Sequence, residues 1–188
     1  MKQKIVIILF LLTAFCAVSV SAQKTEKEKS NLRGTWEFEK LNSADGMLVA
    51  DKNSENIKVF HQVVIEQKEA EVKIGEKIRY EFVNPKTKKS VVSEGETTAT
   101  YFTDGRGETN TIDKKTANST TKWKGNVLSI SFYDSKTKNV VGTVEWKISK
   151  DGNTLTSIKQ EKNPRPVAPM TFILNPLNNN RTTFARKS

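Results

Sequence analysis

The 188-residue chain contains one cysteine and one histidine. Both scarcities remove chemistry before any motif is read. Cys16 lies in an apolar leader, so the mature chain is expected to hold no disulfide, no thiol nucleophile and no thiolate metal ligand. Its stability must then come from packing. With His61 alone, a histidine metal cluster is excluded by count, and any Ser-His-acid arrangement would have to use that residue. A sustained helical period with caps is also missing after the leader. Gly105-Arg106-Gly107 begins like a dinucleotide fingerprint, but Asn110 stands where the third glycine is needed. No helical pattern follows to offer its N-terminus to a pyrophosphate.

The leader itself is well marked. Lys2 and Lys4 precede an apolar run from Ile5 to Val18, and the segment closes with Ser19-Val20-Ser21-Ala22 before Gln23. That is the layout of a secretory signal peptide, too short and wrongly flanked for a spanning helix. Phe15 before Cys16 argues against a lipoprotein. The expected organisation is a signal peptide over 1–22, a flexible N-terminal segment over 23–31, and a single domain over 32–188. The protein is therefore expected in the periplasm or outside the cell, with no transmembrane segment in the mature chain. Loss of Lys2 and Lys4 takes the formal charge from +10 to +8.

Alternation in period two dominates what remains. Val140, Gly142, Val144, Trp146 and Ile148 share one face, as do Leu128, Ile130 and Phe132. The same holds for Ile78, Tyr80 and Phe82, for Ala70, Val72 and Ile74, for Ile57, Val59, His61, Val63 and Ile65, and for Trp36 and Phe38. Turn signals separate these runs at Asn84-Pro85-Lys86, Asp104-Gly105, Gly125-Asn126, Asp134 to Asn139, and Lys150 to Asn153. Strands joined by short polar turns are antiparallel hairpins, and closing them into a barrel removes the exposed edges. The expected fold is all-β, an antiparallel up-and-down barrel of about eight to ten strands, with a two-sheet β-sandwich as the competing architecture.

Some stretches break the pattern. Leu155 and Ile158 have opposite parity, which calls for a bulge or for one solvent-facing side. Residues 43–56 and 84–97 lack clean alternation and read as long loops or a short cap. Asn163-Pro164-Arg165-Pro166 interrupts the strands, Met170 to Leu174 is an apolar segment, and Arg181 to Lys187 is the last candidate strand.

Gly34-Thr35-Trp36, opening the first strand of an all-β chain, resembles the G-x-W signature of the lipocalin and wider calycin barrels. In those families the tryptophan plugs the closed end and an arginine of the last strand packs across it. Arg186, on the same face as Phe184 and Thr182, is the residue the resemblance assigns to that role. Tyr101 to Asn110, Thr121 to Leu128 and Glu145 to Leu155 are similar to secreted bacterial lipocalin-like domains of unassigned role. The chain departs from typical lipocalins in lacking a disulfide and an evident helix before the last strand.

A non-enzymatic binding protein is the expected function. In that reading Trp123, Tyr80, Tyr101 and His61 line a cavity for a small apolar molecule with one polar anchor, and Arg106 points into its mouth to pair with a carboxylate. The competing function is a filled barrel acting through its surface. Lys86, Lys88 and Lys89, Lys114 and Lys115, and Lys136 and Lys138 collect at turns, and if those turns share one end they form a ring attractive to an anionic envelope surface. A hydrolase is the third and weakest reading. No cofactor, metal or nucleic acid is expected. An oxygen-only calcium site from Asp104, Glu108, Asn110 and Asp113 fails on spacing.

Overall fold

Residues 30–43, 45–112, 115–162 and 179–187 are described by the computed structural model. The expected leader, Asn163-Pro164-Arg165-Pro166, Met170 to Leu174, Asp113 and Lys114 lie outside them.

The alternating runs become eleven strands: β1 (Gly34–Ser43), β2 (Leu48–Asp51), β3 (Ile57–Lys68), β4 (Glu71–Val83), β5 (Ser90–Phe102), β6 (Glu108–Ile112), β7 (Lys115–Lys124), β8 (Val127–Tyr133), β9 (Val140–Ile148), β10 (Thr154–Glu161) and β11 (Asn180–Arg186). They form one antiparallel sheet in the order β5-β4-β3-β1-β11-β10-β9-β8-β7-β6, with β2 added on β1. No helix occurs among the described residues.

The last strand returns to the first, and β5 comes to lie beside β6. The result is a nearly closed barrel, with no backbone ladder between β5 and β6. Side chains bridge that seam. Asn110 accepts from the Thr100 amide and donates to the Thr100 carbonyl, both at 2.9 Å, as a neighbouring strand would. Glu108 Oε2 accepts from the Phe102 amide at 3.3 Å. Continuing this register sets Ile112 opposite Thr98, so β5 from Ser90 to Thr97 runs past the end of β6. Residues 90–97 are strand rather than loop, and they show no apolar alternation because their inward positions hold Ser93, Gly95 and Thr97 in place of large apolar residues.

Two other irregular stretches resolve in the same way. In β10 the register is unbroken: Leu155, Ser157 and Lys159 face inward, and Ile158 lies on the outer side. In 43–56 the short β2 pairs with the far half of β1, where β3 has left it. A register shift between Phe38 and Lys40 turns Leu41 inward to join Phe38 and Ala50 in a small second core.

The ends of the barrel differ. At the end where β1 begins and β11 finishes, Leu32, Trp36, Val63, Val72, Leu128, Trp146, Leu155 and Phe184 form the main core. Trp36 donates its indole N–H to the Leu32 carbonyl at 3.1 Å. From the solvent side the Arg186 guanidinium lies 4.3 Å over the Trp36 ring, and donates to the carbonyls of Arg33 and Gly152 at 2.9 Å each. Gly34 makes this approach possible. Its φ is +136°, and a Cβ there would stand 2.7 Å from Arg186 Nη1.

The opposite end, left open by the described residues, carries the β4–β5, β6–β7 and β8–β9 turns, together with the tip between β1 and β2.

Removing the cation from Trp36 forfeits about 0.5–2 kcal/mol of cation–π attraction as well as two hydrogen bonds. Arg186→Ala should lower Tm by about 3–8 °C and shift the tryptophan emission. Gly34→Ala should fall in the same direction. A variant melting with the wild type would show that the plug does not hold the closed end.

Candidate functional site

On β4 the inward parity of Val72, Ile74, Ile78 and Tyr80 also contains Glu76, so a carboxylate projects into the barrel. The neighbouring strand β3 supplies His61 and, across the interior, β10 supplies Lys159. His61 and Lys159 are 3% and 7% exposed. Glu76 Oε2 receives both, His61 Nε2 at 2.9 Å and Lys159 Nζ at 3.5 Å.

Charge states follow from this geometry. Burial works against ionisation of Glu76, but the Lys159 ammonium and the His61 N–H outweigh it and hold the carboxyl at about 2. For His61, burial opposes protonation more strongly than Glu76 favours it, so its pKa lies below the ordinary value of 6.5. A carboxylate only accepts, so neutral His61 carries its proton on Nε2. The Nδ1 lone pair is buried with no donor opposite it among the described residues. The ring is fixed edge-on to Phe184 at 4.8 Å.

Beside this cluster lies a cavity of about 310 Å³, lined by Glu76, Lys159, Tyr80 and Tyr101 among apolar residues that include Ile130 and Trp146. Its volume is at the small end of the range for ligand sites. Neither tyrosine hydroxyl bonds another described residue. Burial first, and the Glu76 charge second, push both phenols above their ordinary value, so they stay protonated and can donate. The cavity extends up to Ser93 and Phe132, towards the open end and the overhang of β5.

Of the residues expected to hold a ligand, Tyr80 and Tyr101 line this cavity, and His61 stands behind Glu76 as its hydrogen-bond donor. Trp123 packs instead against the main core. Arg106 lies in the closed-end turn, exposed, paired with the Asp104 carboxylate and 4.5 Å over the Phe102 ring. Glu76 and Lys159 were not among the expected site residues. Their signal was parity, since each shares the face of its strand's buried positions. The oxygen ligands weighed for calcium do not converge. Glu108 accepts from Ser119 and Thr121 at 2.8 Å each, Asn110 bonds Thr100, and Asp104 pairs with Arg106. No group of three or more His, Cys, Asp or Glu with metal-binding geometry occurs among the described residues.

A larger concavity, about 950 Å³, lies on the outer side of β9, β10, β11 and β1.

No protein-family model matches the chain, and no curated protein matches it significantly. No helix among the described residues is long and apolar enough to cross a membrane.

Both buried groups destabilise the fold in acid. Glu76, depressed from 4.5 to about 2, contributes stability in full above about pH 4.5 and loses it as the pH falls towards 2. A shift of that size corresponds to about 3 kcal/mol. Neutral His61 adds a loss of the same sign that begins below pH 6.5. Urea unfolding of the wild type should therefore weaken steeply between pH 5 and 2, and Glu76→Gln should flatten the lower part of that curve. Parallel curves would mean that Glu76 is not held as a buried carboxylate.

Proposed function

We propose that the chain is an exported, lipocalin-like binding barrel that holds a small amphipathic molecule with an acidic head group, and that it is not an enzyme. The reading is carried by the cavity's contents: two phenol donors and an ammonium whose charge offsets the Glu76 carboxylate beside it, gathered against an apolar wall. Lys159 has N–H capacity beyond its bond to Glu76, and Tyr80 and Tyr101 add two uncommitted donors. A carboxylate head takes these three donors, and its apolar tail lies against Ile74, Ile78, Ile130, Phe132, Val144 and Trp146. An open space of this size favours a cavity over a barrel filled by its own side chains.

The lipocalin-like assignment is supported by the first-strand G-x-W, the last-strand Arg186 above Trp36, and the antiparallel closure of the sheet. Export to the periplasm or the exterior is supported by the leader pattern over 1–22. Against hydrolysis stands the position of His61. Its Nε2 is committed to Glu76, and the ring is enclosed against Phe184 rather than beside an open nucleophile.

Decanoate and decanol separate head-group from tail recognition in a calorimetric titration. Decanoate should bind, and Lys159→Met should weaken it by at least tenfold, the loss of one charge-assisted bond, while changing decanol little. Ile130→Trp, which fills the cavity, should abolish both. Binding of neither amphiphile to the wild type, or equal binding to Ile130→Trp, would sink the cavity reading.

A further inference from the structure

The turns β4–β5 and β8–β9 are structural copies. The first reads Asn84-Pro85-Lys86-Thr87-Lys88-Lys89, the second Asp134-Ser135-Lys136-Thr137-Lys138-Asn139. In each, the leading side-chain oxygen accepts the amides two and three residues on: Lys86 and Thr87 at 2.9 and 3.1 Å, Lys136 and Thr137 at 3.0 and 2.7 Å. In each, the second lysine of Lys-Thr-Lys bonds back to the leading carbonyl, and the threonine hydroxyl accepts the next amide.

Lys88 and Lys138 also share a left-handed backbone, φ 57° and 59°. Glycine relieves such a position and lysine does not. The turn geometry therefore does not ask for lysine there, although both copies have it.

Topology gathers these turns. The strand order runs β9-β8-β7-β6 and then, across the side-chain-bridged seam, β5-β4. The β8–β9, β6–β7 and β4–β5 turns are thus consecutive on the open rim. Together they carry Lys86, Lys88, Lys89, Lys136 and Lys138, with Lys115 at the start of β7.

Exposed valines stand beside two of these turns. Both copied turns run straight into valines, as Lys88-Lys89-Ser90-Val91-Val92 and as Lys138-Asn139-Val140-Val141. Val91 and Val92 are each 45% exposed and Val141 is 42% exposed. Each basic turn therefore has an uncovered hydrophobic step behind it.

We infer that this arc of the open rim is a docking surface for an anionic lipid bilayer, with the turn lysines at the phosphate level and the valines beside them against the headgroup layer. Charge complementarity selects an anionic partner. The valines select a bilayer over an acidic polysaccharide, which would leave them uncovered against a hydrated chain. The inference does not depend on what the cavity holds.

The test uses protein purified after export, its N-terminus checked by intact mass, and flotation with two kinds of vesicle. One contains phosphatidylglycerol and phosphatidylcholine, the other phosphatidylcholine alone. Binding should require phosphatidylglycerol and fall away between about 0.1 and 0.5 M salt. Lys88→Gly with Lys138→Gly relieves the backbone at both turns, so the variant should fold at least as well as the wild type. It should bind roughly 25-fold more weakly, about fivefold for each lysine removed. Val91→Ser with Val141→Ser should weaken binding while leaving its salt dependence in place. Absence of flotation with anionic vesicles, or retention on an alginate column in its stead, overturns the inference. So does unchanged flotation of the double-glycine variant.

Discussion

A carboxylate enclosed in a barrel has to be answered by a cation, and here the answer comes from the far side of the interior. Glu76 on β4 and Lys159 on β10 are separated in the sheet by β3, β1 and β11, so their contact is possible only once the last strand has closed against the first. The pair and the closure depend on one another. An apolar pair of similar volume would hold the barrel at least as well. What the ionic pair adds over an apolar one is a fixed polar spot beside the cavity.

The two ends divide the work. At the closed end a tryptophan, an arginine and a glycine meet within a few ångströms and seal the main core. Towards the other end, side-chain bridges stand in for a ladder, β5 overhangs, and the walls retreat enough to leave a cavity. Lysines and uncovered valines then occupy the rim on the side of that seam. The main core lies where the first strand begins and the last strand finishes, and the cavity extends towards the side where the ladder is missing.

Much of the fold was legible because strands with one buried face write themselves as alternation. The barrel and the hairpin turns were readable in that way, and the closing pair Trp36 and Arg186 through the resemblance carried by Gly34-Thr35-Trp36. The 90–97 overhang was not, because its inward positions hold Ser93, Gly95 and Thr97, small or polar residues that leave no apolar alternation to read. The β3–β4 turn at Glu69-Ala70 was also silent, since it holds a glutamate at φ 53° in place of glycine or asparagine. At the site, aromatic residues drew attention to Tyr80 and Tyr101, while Trp123 proved to be core. Glu76 and Lys159 escaped notice because charged residues in a strand are ordinarily assigned to its wet face. Their parity said otherwise, but only a partner across the barrel, 83 residues away, makes a buried charge tenable.

Native mass spectrometry of the purified protein, before and after organic extraction, addresses the central claim most directly. The account predicts a copurifying mass that leaves on extraction and is replaced by decanoate when the stripped protein is titrated, with the replacement lost in Lys159→Met. A clean apo mass that decanoate does not shift would contradict it and leave the interior cluster without a ligand to serve.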